Sequence, residues 1–191
     1  MGLEIEAKLK IDSPGEVRRV LDCLDGELVG TVIQTDHYFD DEAGTLKASD
    51  RALRIRLESG EDGKAATIVT FKGAKKGGSF KVRRELESRV ESCESLSAIF
   101  SALGFSERFV IQKSRQLWRF EDCHVCIDRL PLLGWFVEIE GESEEKVASV
   151  QQQLALGGLS HIRESYLCLL EERMKEAGLS KTEILLEDSG L

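Results

Sequence analysis

Five successive segments before residue 90 read as extended chain, and in them apolar and charged residues repeatedly alternate with a period of two. The pattern opens at Leu3-Glu4-Ile5-Glu6-Ala7-Lys8-Leu9-Lys10, with Leu3, Ile5, Ala7 and Leu9 on one side and the charges on the other. Side chains at i, i+2 and i+4 of a strand face the same way, so each such segment has one apolar face and one ionic face. Neighbouring carboxylates on that face lie about 7 Å apart along the strand and repel unless a cation or solvent sits with them. One strand of this kind is ordinary. Its recurrence restricts the fold.

The same alternation returns at Ala52-Leu53-Arg54-Ile55-Arg56-Leu57, at Ala66 to Gly73 ending in Lys72, and at Phe80 to Glu87, where Arg83, Glu85 and Glu87 share a face. Glu27 to Asp40, Phe105 to Arg119, Cys123 to Arg129 and Trp135 to Gly141 also read as extended, the last three carrying Lys113 with Arg115, Asp128, and Glu138 with Glu140. Helical periodicity is confined to a few places. Ser13-Pro14 caps a stripe of Val17, Val20, Leu21 and Leu24. Glu94 to Leu103 ends at Gly104, Ser143 to Leu156 has acids in its first turn, and Ile162 to Ala177 carries Tyr166, Leu167, Leu170 and Met174. The last dozen residues read as a frayed tail. One domain over residues 1–178 and a tail over 179–191 follow, in an antiparallel α+β fold.

A sheet with a charged face either opens that face to water or closes and turns it inward around a polar ligand. Open faces mix in Ser, Thr, Asn and Gln, whereas these are rich in fixed charges. Closure is therefore expected. The inward set is Glu4, Glu6, Lys8, Arg54, Arg56, Lys72, Arg83, Glu85, Glu87, Lys113, Arg115, Asp128, Glu138 and Glu140. Convergent Arg and Lys suit phosphate oxygens, and carboxylates suit hard divalent cations such as Mg²⁺ or Mn²⁺.

These segments resemble the CYTH, or triphosphate tunnel metalloenzyme, superfamily. Glu4-Ile5-Glu6-Ala7-Lys8 matches its ExExK signature, which alone is a weak pattern. The similarity continues in order through His37-Tyr38-Phe39-Asp40, Leu53 to Arg56, Thr70 to Gly73, Arg83 to Glu87, Lys113-Ser114-Arg115, Ile127 to Pro131, Leu133 to Glu140 and Ser165-Tyr166-Leu167. The resemblance implies an eight-stranded antiparallel β-barrel, with helices outside and at one end, whose tunnel binds a triphosphate. It also implies roles. Glu4, Glu6, Glu138 and Glu140 would hold the metal, with Glu85, Glu87 and Asp128 as further acids. Lys8, Arg54, Arg56, Lys72, Arg83, Lys113 and Arg115 would cradle the triphosphate, and Glu4, Glu6 and Lys8 would stand at the reacting phosphate.

The implied activity is a metal-dependent triphosphatase, with inorganic triphosphate ranked ahead of nucleoside triphosphates. A class IV adenylate cyclase is the first alternative and a non-catalytic polyphosphate or nucleotide binder the second. Class IV cyclases resemble a longer signature with a His-Phe pair ahead of ExExK, where this sequence has only Met1, Gly2 and Leu3. Asp41 stands where a Thr is usual and Cys168 where an acid is commoner. No aromatic thiazolium or pyrimidine site is marked, which ranks thiamine triphosphate lower.

Other features carry less. The net charge of −9 argues against nucleic acid as the main partner. No apolar run of about 18 residues and no apolar leader are present, so neither a membrane span nor export is expected. Five scattered cysteines fit free thiols in a reducing, cytoplasmic setting. Cys123-His124-Val125-Cys126 has CxxC spacing, but i and i+3 of a strand face opposite ways. Gly73 to Gly78 lacks the Lys-Ser/Thr ending of a phosphate loop and reads as a hairpin connection. His37 and His161 read as satisfied polar residues. Lys75 and Lys76 read as solvated charges placed to guide an anion, and pairing with a second copy of the chain is left open.

Overall fold

A computed structural model describes residues 3–75 and 81–187, apart from the side chains of Leu3, Glu4 and Lys81. Eight strands close on themselves: β1 (Leu3–Ile11), β2 (Glu27–Asp41), β3 (Ala52–Gly60), β4 (Ala65–Lys72), β5 (Lys81–Val90), β6 (Phe105–Phe120), β7 (Cys123–Leu130) and β8 (Gly134–Gly141). Their order is β2-β3-β4-β5-β1-β8-β7-β6, and a long β2–β6 pairing seals the barrel. Every contact between these eight is antiparallel. Closure removes the sheet edges that an eight-stranded open sheet would expose.

The register puts the charges opposite one another on the inner face. Lys8 lies across from Glu138 and Glu6 across from Glu140. Asp36 faces Arg56, Lys72 faces Glu85, and Arg115 faces Asp128. The outer parity is apolar where helices cover it. Ala7, Leu9 and Ile11 of β1 join Val125, Ile127, Val137 and Ile139 beneath α1 (Gly15–Cys23) and α4 (Glu144–Gln153). Pro14 is the N-cap residue of α1 and makes no side-chain cap, so the helix starts one residue later than the Ser13-Pro14 pattern predicts.

A second core lies inside one end of the barrel. There the inward parity turns apolar, because Phe109, Ile111, Leu130 and Phe136 stand on the faces that carry Lys113, Asp128 and Glu138 further along. Tyr166, Leu170 and Met174 of α5 (Tyr166–Glu176) fill that end. The stripe on α5 is therefore a plug as well as core packing.

Three elements depart from the sequence expectation. Residues just after α5 are not frayed. Leu179 packs on the inner core, and β9 (Glu183–Ile184) pairs in parallel with β6 and buries Ile184 completely. The loop after β2 contains a short helix, α2 (Thr45–Ala48), wrapped around Asp40, whose carboxylate accepts hydrogen bonds from the amides of Asp41, Leu46 and Lys47 at 2.9–3.0 Å. The helix predicted from Glu94, α3 (Cys93–Ala102), buries none of its residues fully, although Phe100 meets Phe39 edge-on at 5.2 Å. Among the described residues no helix is long and apolar enough to cross a membrane.

Candidate active site

The barrel encloses a cavity of about 510 Å³. Inside the barrel it is lined by seven cationic side chains (Lys8, Arg54, Arg56, Lys72, Arg83, Lys113 and Arg115) and by Glu6, Asp36, Glu85, Glu87, Glu138 and Glu140, while Lys47, Arg51, Lys75 and Arg108 border it from outside those strand faces. All seven come from the inner parity of β1 and β3 to β6. Glu4 lies on that parity too, but its side chain falls outside the described residues.

One wall gathers carboxylates. Glu6, Glu138 and Glu140 can each offer an oxygen, and these oxygens lie within 4.8 Å of one another. Glu6 and Glu138 are almost wholly buried. Like charges this close in a poorly solvated place are costly without a counter-ion. Lys8 supplies part of it. Its ammonium, 1% exposed, lies 3.3 Å from Glu138 and 3.9 Å from Glu6, and donates to the Glu164 carbonyl at 3.0 Å. Three carboxylate oxygens in this spacing suit a hard divalent cation, which prefers oxygen ligands.

Guanidinium groups gather on β3 and on β5, the direct neighbour of β1, where Arg83 lies across from Glu4. Arg54 and Arg83 are both more than nine-tenths buried, and the Nε of each has no hydrogen-bond partner. A buried unpaired N–H is expensive, so both groups are primed for an anion. Both arginines of β3 reach Asp36: Arg54 lies 3.5 Å from it and donates to Thr70 at 3.2 Å, while Arg56 holds it more tightly. It clasps Asp36 through two hydrogen bonds of 2.6 and 2.7 Å. Burial pushes the Asp36 carboxyl upward, but Arg56 and Arg54 outweigh it and hold the group far below the usual carboxylate range. Lys72 is bonded to Glu85, which also lies 3.5 Å from Arg83, and Glu87 accepts from Thr70 at 3.3 Å.

The third group is organised by Asp128. This residue has no exposed surface and does not line the cavity. Its Oδ2 accepts from Lys113 Nζ at 2.9 Å, Arg115 Nη2 at 2.6 Å and Tyr166 Oη at 2.9 Å, while Oδ1 accepts from Arg115 Nε at 2.7 Å. With its lone pairs so committed, Asp128 orients cations, which separates it from the acids expected to face a metal. Burial and the Arg115 charge together bring Lys113 down to about 8, against the pull of Asp128. Arg115 also bonds Glu138, joining this group to the carboxylate wall.

Two residues of this site were not singled out from the sequence. Asp36 shares its face with Gln34 and Tyr38, a polar parity obscured by β-branched residues on both faces of β2. In the sequence Tyr166 belongs to the apolar stripe of α5, and no local pattern announces that its hydroxyl reaches Asp128. His37 bonds Glu107 at 2.6 Å, and His161 bonds Gln151 at 2.7 Å, so both have polar partners of their own. Cys123 packs in the outer core, whereas Cys126 lies on the inward parity opposite Glu138, as period-two geometry requires of this CxxC. Lys75 pairs with Asp50 at 2.9 Å on the cavity rim, and Lys76 lies outside the described residues.

Comparison with known proteins agrees with this architecture. A protein of Methanocaldococcus jannaschii, provisionally named an adenylate cyclase, is 33% identical over 174 residues, covering 86% of this chain and 97% of its own. A Pyrococcus horikoshii structure superposes with a TM-score of 0.78 at 27% identity, over 89% of this chain and 99% of the other. A Hippeastrum protein, provisionally named an adenylyl cyclase and described as having a dominant triphosphatase activity, superposes with a TM-score of 0.69 at 18% identity, over 95% and 98%. Residues 2–166 match the CYTH domain, and the chain belongs to the CYTH family.

Proposed function

We propose that this protein is a divalent-metal-dependent hydrolase of triphosphates, with inorganic triphosphate as its first substrate. One observation carries the reading: a carboxylate cluster and seven cationic side chains share one barrel cavity, with Lys8 and Arg115 already set against the carboxylates. Neither half makes sense alone. The cations, offset by six carboxylates, leave the cavity close to neutral, so a bare polyanion gains little there. A polyphosphate arriving with Mg²⁺ or Mn²⁺ satisfies both walls at once.

In this reading Glu6, Glu138 and Glu140, with Glu4 beside them in β1, hold the cation. A bound Mg²⁺ or Mn²⁺ supplies Lewis acidity at a phosphoryl oxygen and lowers the pKa of a bound water. Arg54 and Arg83 offer their unpaired N–H groups to phosphate oxygens, and Arg56, Lys72, Lys113 and Arg115 add fixed positive charge along the chain. Positive groups already fixed in a water-poor cavity stabilise the charge that grows on the phosphoryl oxygens and leaving group without reorganising. Lys8, held between Glu6 and Glu138, stands where the metal and the reacting phosphate meet. Glu85 and Glu87 keep Lys72, Arg83 and Thr70 in place.

A second reading, cyclisation of a nucleoside triphosphate, draws on the apolar part of the cavity lining. Tyr38, Phe39, Leu46, Leu53, Phe109 and Leu167 belong to it. Such walls suit an organic group carried by the triphosphate. The name of the Methanocaldococcus jannaschii relative points the same way. A product assay with inorganic triphosphate and with ATP, each with Mg²⁺ and Mn²⁺, separates the readings. Phosphate released from inorganic triphosphate, with ATP nearly inert, supports the triphosphatase. Cyclic nucleotide and pyrophosphate from ATP would replace it with the cyclase.

A further inference from the structure

We propose that Tyr166, the first residue of the plug helix, is a positioning residue that sets the anion-binding cations by holding Asp128 and by lying under two lysines. The inference rests on the triphosphate reading of the cavity. Three observations converge on this side chain. Its hydroxyl donates to Asp128 Oδ2 at 2.9 Å, the same oxygen that receives Lys113 and Arg115. The Lys8 ammonium sits 4.0 Å from the centre of its ring and the Lys113 ammonium 4.8 Å, both within cation–π range. Phe136 meets the ring edge-on at 5.2 Å and fixes its plane. Burial and the carboxylates Asp128 and Glu138 push the phenol well up, so it keeps its proton and remains a donor.

The backbone around Tyr166 reinforces the link. Ile162 N donates to the Lys8 carbonyl at 2.8 Å, and Lys8 Nζ donates to the Glu164 carbonyl at 3.0 Å. Lys8 on β1 and Lys113 on β6 are thus held by one short segment of chain. Without the Tyr166 hydroxyl, Asp128 keeps Lys113 and Arg115 but loses the neutral donor that shares Oδ2 with them. Its full charge then draws both cations away from the cavity. Seating of α5 and strength of the anion site are one variable in this arrangement.

Affinity for a non-hydrolysable imido analogue of inorganic triphosphate, measured by calorimetry with Mn²⁺ on the full chain, tests this with Tyr166→Phe and Tyr166→Leu. Tyr166→Phe keeps the ring and loses only the hydrogen bond. It should weaken binding about tenfold while the melting temperature stays within about 3 °C of wild type. Tyr166→Leu also loses the ring under the lysines and should weaken binding about a hundredfold. A purely structural tyrosine would not show the next effect: in an Asp128→Asn background the Tyr166→Phe penalty should shrink to under about twofold, because both act through one carboxylate. If Asp128→Asn does not fold, Lys113→Met serves as the background, with the same shrinkage expected. Wild-type affinity in Tyr166→Phe, or full additivity of the two changes, would overturn the proposal while leaving the triphosphate reading intact. A wild-type protein that binds no triphosphate would overturn both.

Discussion

The two walls of the cavity are built by the same rule and give opposite results. On β1 and β8, inward parity brings three carboxylates within 4.8 Å of one another. On β3 and β5 it brings two buried arginines whose Nε atoms lack hydrogen-bond partners. On the first wall like charges crowd around Lys8 and Arg115, and on the second two buried guanidinium Nε atoms make no hydrogen bond. A folded chain tolerates each imbalance only at a cost, and the two are relieved together by a cation and an anion that arrive joined. Asp36 shows the alternative. It satisfies Arg56 internally, and so takes that arginine partly out of the ligand's reach.

The largest expected effect comes from breaking the carboxylate wall. Glu138→Gln should lower metal-dependent triphosphate hydrolysis by roughly a thousandfold or more. Melting temperature should stay near that of wild type, since the fall in like-charge repulsion offsets the weaker hold on Lys8, which keeps Glu6, while Arg115 keeps Asp128. Steady-state kinetics beside a thermal melt would check this, and retained activity would remove Glu138 from the metal site.

The cation wall should divide into two behaviours. Arg83→Ala should raise KM about thirtyfold or more with the fold intact, because a charge-assisted contact to phosphate is lost. Arg56→Ala should instead destabilise the barrel by about 3–5 kcal/mol, because Asp36 is left buried without its bidentate partner. Denaturant melts of both variants test that contrast. Equal destabilisation would mean that the internal pair is not what distinguishes the two arginines.

The smallest effect concerns pH. Lys113 is faced by Arg115, Arg56, Asp128, Glu138 and the ring of Tyr166, and it titrates at about 8. Below that value it is charged and binds anion. Triphosphate affinity should therefore fall several-fold as pH rises from about 7 to 9, following the loss of one cationic contact. Its contribution to the stability of the ligand-free protein has the opposite sign. Because its folded value lies below its ordinary 10.5, the folded state holds fewer protons than the unfolded one across that interval, and stability from this group rises with pH there. Affinity measured against pH for wild type and Lys113→Met checks it, since the variant should lose the slope.

Alternation made most of the lining legible, because a strand's period of two states which face a side chain occupies; closure was legible in the fixed charges on those faces, and the eight-stranded barrel in the family resemblance. Alternation does not state depth along the barrel axis. Asp128 and Glu138 have the same parity, yet one is sealed beneath Tyr166 and the other borders the cavity. Asp36 was hidden for a different reason: β2 runs for fifteen residues with apolar and polar groups on both faces, so its inner parity is weak. α2 has four residues and β9 two, too few for any period to register, and both are fixed by tertiary contacts.

The central claim is that the two walls bind a metal and a polyphosphate as one unit. Calorimetric titration of a non-hydrolysable triphosphate into the protein, with and without Mn²⁺, tests it most directly. The account predicts binding at least about tenfold tighter with Mn²⁺, and loss of that enhancement in Glu138→Gln. Equal affinity with and without the metal would contradict it.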